Sequence, residues 1–564
     1  MNSDSQWFKR NNYILLISFL ILYTFVVLFL LRGLDDNRLA SWERAFLYAD
    51  PAKIFLILIF SILIAYLLSR LPFVDKHPEL FLFTFSFAIS SLFWREPEII
   101  LDASRYFTQA KHLEVYGVGY FLREWGKAIP AWTDMPVMPF LYGLIFNFFG
   151  EARIHIQIFT SILFSLTAAL TYLIGSAIWN RDTGLIGGIL FLGIPCILVN
   201  VPLMMVDVPV IFFVALSVFL FIKALVHGKL FTAASACSIA FTLLTKYSAW
   251  LMLSVLVVIL VVYIIRESGE RKKIIIRGML VMSVSGLLAG AVILYKLDVF
   301  SEQIRFLLNF QKPGLKRWGE SFLSTFFFQT HPLITIAAGY SVYLAIRKKD
   351  FKYLIILWMV LLVFLFQLKR SRYIMMIFPM LSLMASYGLM NVKNREMIKF
   401  FAFCIACVSI VVAVFAYLPM TEKISLVNLR DAGEYIDSLD GGTLEVFAVQ
   451  TGEPDANIAV SVPILDIFTS KKIRYRYMRS IPPSQQEVEI SPLRFTWEYK
   501  NPDYYSEIKG KEDSAVVALI HGDKTLKLQA YIESRIKDYR RVKRFMVSDE
   551  MFRFQVFVSV YSRQ

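Results

Sequence analysis

Charge is what this chain has little of. Only 18% of its 564 residues are Asp, Glu, Lys or Arg, against about 25% in a soluble globular chain. With 57% hydrophobic residues, that excludes a soluble protein over most of the length. Cysteine is scarce as well. The four, Cys196, Cys237, Cys404 and Cys407, all lie inside apolar runs. None can staple a hydrophilic segment, and none has metal-site spacing in an aqueous loop. The Asn-x-Ser/Thr acceptor is absent. Both facts fit a prokaryotic membrane better than the endoplasmic reticulum. A soluble basic domain is missing too. The net charge is +15, yet residues 420–564 hold 21 basic and 21 acidic residues. Nucleic acid is therefore excluded as a partner. Cytoplasmic loops account for part of the excess charge, and an anionic lipid substrate would account for more.

Long apolar runs are what the chain has instead. Runs of roughly 15 to 25 residues recur from Tyr13 to Leu418, near the length that crosses about 30 Å of hydrocarbon. The first, Tyr13 to Leu31, is too long for a signal peptide and lacks a small-residue cleavage site, so it reads as an anchor. Run lengths predict about 13 spans. They begin near residues 13, 54, 80, 155, 184, 207, 231, 248, 277, 330, 353, 373 and 399. The basic loops 266–273, 347–352 and 392–399 alternate correctly to be cytoplasmic, which puts the N-terminus inside and the C-terminus outside. Two long loops, about 95–152 and 298–330, are then external. The piece 136–150 is too short to span and reads as interfacial. The basic stretch 369–372 breaks the positive-inside trend on the external side, which makes it a functional candidate.

From about Thr421 the composition is that of a soluble domain. Segment 425–439 has helical periodicity, 443–450, 515–522 and 553–562 read as strands, and 526–542 as a helix. The expected organisation is a membrane module over 1–420 and a small extracytoplasmic α/β domain over 421–564 with its own core. The stretch 471–479 reads as solvated or membrane-leaning surface. There is no internal repeat and no low-complexity segment.

Two acids stand out. Asp102, in LDASRY (101–106), follows the span ending near Trp94, and Asp207, in MMVDVP (204–209), lies between two later spans. The span count puts both on one side of the membrane, where carboxylates are costly unless they face water or a partner. Each has a plainer reading: Asp102 as an N-cap, Asp207 as the cap of a helix that Pro209 would favour. Lys246 suits snorkelling, Arg372 an interfacial anchor, and Arg105 a local ion pair. Arg305, Lys312, Lys316 and Arg317 suit a solvated face. His331, before Pro332, reads as structural.

The chemistry that suits acids and cations at a membrane surface is sugar transfer from a lipid phosphate. A carboxylate takes the acceptor proton, general-base help typically worth ~10²–10⁴ in rate, and fixed cations stabilise the leaving phosphate. Five strings resemble the membrane glycosyltransferases of the GT-C fold, and more closely the protein O-mannosyltransferase and lipid A aminoarabinose transferase branch. LDASRYFTQA (101–110) resembles the family's Asp-Glu-x-Arg-Tyr signature. TDMPVMPFLYGLIFNFFG (133–150) resembles its Lys-Pro-Pro-Leu segment, and MVDVPVIFF (205–213) its Thr-Asp-Met-Pro string. LLTKYSAWL (243–251) resembles the Leu-x-Thr-Lys string, and SRYIMMIFPMLSLMA (371–385) the Arg-Tyr span. The resemblance implies a polytopic α-helical GT-C-like fold and a polyprenyl-phosphate sugar donor. It also implies a lipid, glycan or protein acceptor on the outer face, and inversion at the anomeric carbon.

By the same resemblance Asp102 is the base, and Asp207 orients it or shares a divalent metal with it in the branches that use one. Arg105, Tyr106, Lys246, Arg372 and Tyr373, with Arg305 and Lys312, hold substrate or lipid phosphate. Two departures stand against this. Ala103 replaces the signature's second acid, and Asp134 stands where the family has Lys. The spans near 13 and 54 lie outside the resemblance, as does the tail, which is expected to tune acceptor choice and not the chemistry. The rival readings are a transporter or flippase, and an inactive relative that only binds or scaffolds.

Overall fold

The computed structural model describes residues 2–311, 320–450, 456–476, 484–491, 493–506, 514–522, 528–547 and 554–563. The membrane part is helical. Eight helices are long and apolar enough to cross a membrane: Asn12–Leu30, Pro51–Arg70, Arg153–Ile178, Asp207–His227, Tyr247–Arg266, Ser268–Tyr295, Ser371–Leu389 and Arg395–Thr421. Four shorter apolar helices, Pro78–Ser91, Val137–Phe149, Leu230–Leu243 and Tyr353–Leu365, accompany them. Each of the thirteen expected span starts falls on or next to a helix. Arg181–Leu192 and Pro332–Lys348 complete the set, which length divides into longer and shorter apolar helices.

Polar residues place the helix ends. Asp50 caps the helix that Pro51 opens by accepting from the Ala52 and Lys53 amides, which supplies orphan first-turn donors with an acceptor. Asn180 and Asn394 cap Arg181–Leu192 and Arg395–Val412 in the same way. Both lie at one end of the bundle, where Asp75 pairs with Arg395 and Lys399, Asp182 with Arg395, and Arg70 with Glu396. Asp350 accepts from the Trp179 indole at this end too. The opposite end carries the loop 95–152, the stretch 369–372 and the tail.

The tail carries a five-stranded sheet: β1 (Thr443–Val449), β2 (Lys472–Tyr475), β3 (Val516–His521), β4 (Tyr539–Phe545) and β5 (Phe557–Arg563), in the order β2-β1-β3-β5-β4. β1 runs parallel to β2 and β3, while β5 is antiparallel to β3 and β4. Alternate residues serve opposite faces. Leu444, Val446 and Ala448 join one cluster, and Phe447 and Val449 the other. Burial on both faces explains why β1 and β3 read as continuous apolar runs.

Two tail readings need correction. The expected helix 526–542 is a short helix, Ala530–Arg535, followed by β4, because pairing with β5 overrides local helical periodicity. In the stretch 471–479, expected to be solvated or membrane-leaning surface, Lys472–Tyr475 is the edge strand β2 beside β1, and 477–479 lie outside the described residues. The tail's core is also shared. Leu101 is one of its buried members, and Tyr116 and Trp132 pack against it.

Candidate active site at the loop-bearing end of the bundle

Asp102 immediately precedes the helix Ala103–Glu124, but its side chain makes no capping bond. Asp207 is the first residue of its helix and caps nothing either. Both carboxylates are turned to cations instead. The Arg372 guanidinium donates through Nε and Nη2 to Asp207 Oδ2 at 3.0 and 2.8 Å, and through Nη1 to Asp102 Oδ2 at 3.3 Å. Lys246 Nζ donates to Asp207 Oδ1 at 2.6 Å. Arg105, one turn beyond Asp102, bridges it to Asp134, with Nη2 3.1 Å from Asp102 and 3.2 Å from Asp134. The result is an alternating ladder, Lys246–Asp207–Arg372–Asp102–Arg105–Asp134. Alternation is what lets it be buried, since an unpaired interior charge costs several kcal/mol.

The ladder grades from interior to surface. The Asp207 side chain is 1% exposed and that of Asp102 23%. Burial alone would raise the Asp102 carboxyl, but Arg105, Arg372 and Arg370 together outweigh it and hold the group below its ordinary value. Burial pushes Asp134 up, against the pull of Arg105.

The other expected contacts sort clearly. Tyr106 is buried behind the ladder: its hydroxyl bonds to Asp134 and its ring packs edge-on to Tyr142, 6.5 Å away. Its ring faces the interior. Tyr142 in turn donates to the Met205 carbonyl at 2.7 Å, tying that helix to the turn before Asp207. Tyr373 is half-buried beneath two cations, with Lys246 Nζ and the Arg370 guanidinium each 5.4 Å from its ring centre. Arg372 was expected to grip phosphate, yet three of its five N–H donors already serve the two carboxylates. Arg305 is exposed and makes no ion pair among the described residues. Lys312, Lys316 and Arg317 lie outside them.

Several residues that hold this arrangement were not singled out from the sequence. Glu98 accepts from Arg153 at 2.6 Å and from the Met204 amide at 2.9 Å, fixing the approach to Asp207. Asn37, from the N-terminal hairpin between the first two spans, donates to Ser371 Oγ at 3.0 Å, and the Ser371 amide donates to Glu320 at 3.0 Å. Asp35 accepts from the Trp42 and Asn37 amides, Ser324 and Gln329. The segment between the first two spans therefore braces the segment that carries Arg372. The signal was there in Asp35, Asp36 and Asn37, polar residues just past a span.

A shared metal between Asp102 and Asp207 does not suit this geometry. The Arg372 guanidinium occupies the ground between them, and among the described residues no three His, Cys, Asp or Glu side chains gather.

Residues 133–295 match the family described as dolichyl-phosphate-mannose-protein mannosyltransferase, a segment that contains Asp134, Asp207 and Lys246. No curated protein matches the sequence. ArnT from Cupriavidus metallidurans bound to undecaprenyl phosphate superposes with a TM-score of 0.53 over 87% of this chain and 98% of that one, at 10% identity. The fold is GT-C. The apo form of the same ArnT gives 0.53 at 8% identity over 85% and 97% of the two chains. Archaeal oligosaccharyltransferase AglB from Archaeoglobus fulgidus gives 0.49 at 11% identity over 79% and 70%. The chain is thus an integral membrane protein with the fold of the GT-C glycosyltransferases. The ladder sits on the strings that carried the resemblance: Asp102 and Arg105 on the first, Asp134 on the second, Asp207 on the third, Lys246 on the fourth and Arg372 on the fifth.

Proposed function

We propose that the protein transfers a sugar from a polyprenyl-phosphate donor to a hydroxyl acceptor on the extracytoplasmic face of a prokaryotic membrane, with inversion at the anomeric carbon. The observation that carries the proposal is the convergence on Asp102 of Arg372, 270 residues away, beside Asp207 and Lys246, in a chain with this fold. In the proposed step the acceptor oxygen attacks the anomeric carbon and the bond to the phosphate oxygen breaks. The acceptor proton passes to Asp102, and the bonding electron pair leaves on the phosphate. Lys246, Arg105 and the remaining donors of Arg372 receive that charge, a role suited to fixed cations in a partly dry groove. One displacement inverts the configuration.

The neighbouring arginines keep Asp102 ionised but weakly basic. Phosphate arriving beside them would compete for the same cations and return basicity to the carboxylate when it is needed. The N-terminus lies in the cytoplasm on this reading, and the tail outside.

A second reading, a relative that binds the lipid without turning it over, is favoured by one observation. Asp134 gives Arg105 a second carboxylate partner where the family supplies another cation. One experiment separates the two: purified protein with a panel of polyprenyl-phosphate sugars and candidate acceptors, mass detection of product, and NMR of the new linkage. An inverted glycoside supports transfer. Donor binding without product from any pair supports the second reading.

A further inference from the structure

The C-terminal domain reaches the ladder on both sides of Asp102. Leu101, the residue before it, is 7% exposed and lies in the tail's core cluster with Leu429, Ile458 and Phe495. Beyond Asp102, Phe495 sets its ring against the Arg105 guanidinium, 4.6 Å from centroid to carbon. The edge of that guanidinium serves Asp102 and Asp134, and its face is covered by a ring that is itself 8% exposed. A planar cation can satisfy carboxylates in its plane and an aromatic on its face at once. Among the described residues its Nε is buried without a hydrogen-bond partner.

Behind Phe495 stands Trp132, 6.2 Å away, and Phe306 lies 4.7 Å from Trp132. Trp132 holds φ at 50°, a left-handed conformation that costs a bulky residue of order 1–3 kcal/mol and persists only where the surroundings over-determine it. Arg494, next to Phe495, covers Phe306 at 5.1 Å and Phe310 at 5.4 Å. Three external segments are thereby packed into one layer over Arg105.

We propose that Phe495 is a positioning residue: the C-terminal domain orients Arg105, and through it Asp102, so the tail is a structural part of the site. The proposal rests on the transfer reading above and replaces the expectation that the tail serves acceptor choice alone. Phe495 touches no reacting atom and acts through the Arg105 guanidinium.

The test uses full-length protein with Phe495→Leu, which keeps apolar bulk, and Phe495→Tyr, which keeps the aromatic face. Phe495→Leu should lower kcat about tenfold, the equivalent of a desolvated cation–π contact, and Phe495→Tyr should restore it. In an Arg105→Met background, Phe495→Leu should have no further effect, because contacting residues are non-additive. An equal loss in both backgrounds overturns the proposal, as does an unchanged kcat per folded molecule. Thermal unfolding of wild type, Phe495→Leu, Arg105→Met and the double variant gives a readout that needs no activity. Non-additive shifts in Tm support the contact even if no donor is turned over, in which case the transfer reading fails separately. Additive shifts overturn the proposal.

Discussion

Two buried ion networks hang on one helix, Ala103–Glu124, and they differ in what they leave free. At its start, Asp102 and Arg105 belong to a ladder whose acids and cations come from four other segments. Three of its members are partly exposed, Asp102 at 23%, Lys246 at 18% and Arg105 at 17% of the side chain. Further along, Lys111 binds Glu151 at 2.8 Å and Asp466 at 2.6 Å. Asp466 also accepts from the Tyr505 hydroxyl at 2.7 Å, and the Lys111 ammonium lies among Phe107, Tyr504 and Tyr505. Burial alone would lower the Lys111 ammonium, but Asp466 and Glu151 outweigh it and raise it above its ordinary value. The ladder keeps spare N–H donors on both Lys246 and Arg372. The other network joins the tail to the helix, with the Lys111 side chain 12% and that of Glu151 19% exposed. Neither buried charge nor partial exposure therefore marks a reactive site; the spare donors of several cations separate the two networks.

The sharpest way to break this contrast is to remove one cation from each network. Arg372→Met and Lys111→Met should each cost about 3–5 kcal/mol of stability, since each strands a buried carboxylate. Only Arg372→Met should abolish transfer per folded molecule. Lys111→Met should leave kcat close to wild type once the folded fraction is corrected by unfolding in detergent. If Lys111→Met lost turnover as completely, the Lys111 network would belong to the chemistry.

The brace from the N-terminal hairpin makes a pH-dependent prediction. Burial, only partly opposed by its hydrogen bonds, pushes Asp35 up to about 6 from an ordinary 3.8. Its folded value lies above its unfolded one, so the folded state binds the extra proton between those limits. Stability should fall as pH rises from about 4 to 6, by up to about 2–3 kcal/mol, and level off above that. Asp35→Asn should flatten the slope in pH-dependent thermal unfolding. An unchanged slope would remove Asp35 as its source.

Smaller effects refine the ladder. Lys246→Met should cost about 1.5 kcal/mol, the lower end for a hydrogen bond to a charged group, and should weaken donor binding in a labelled-lipid assay. Arg305→Ala should change stability by less than about 0.5 kcal/mol, as at other exposed positions, and leave donor affinity as it is. A larger loss of donor affinity with Arg305 than with Lys246 would move the phosphate site to the 298–330 loop.

Asp102, Asp207, Lys246 and Arg372 were legible because ionisable groups at span boundaries are rare and each sat in a recurrent string. What Arg372 does was not legible: a sequence shows a cation near phosphate chemistry, but not that two carboxylates already hold it. Asp134 was noticed only as a missing lysine, while in the folded chain it completes the ladder. Lys111 and Asp466 are 355 residues apart, and Arg105 and Phe495 lie farther apart still. Such contacts leave no trace in periodicity or composition. Helix starts were legible from hydropathy, whereas helix lengths were not, because they depend on caps and neighbours. In the tail, β1 and β3 announced themselves by apolar runs, but β4 is basic and its strand state depends on pairing with β5.

The account stands or falls on Asp102 acting as the base in sugar transfer. The direct test is single-turnover transfer by wild type and Asp102→Asn, both purified at matched folded fraction, with a donor the wild type accepts. The substitution keeps the size and removes the basic oxygen. The account predicts product from wild type and a rate lower by ~10² or more in Asp102→Asn, with donor still bound. Near-equal rates would contradict it.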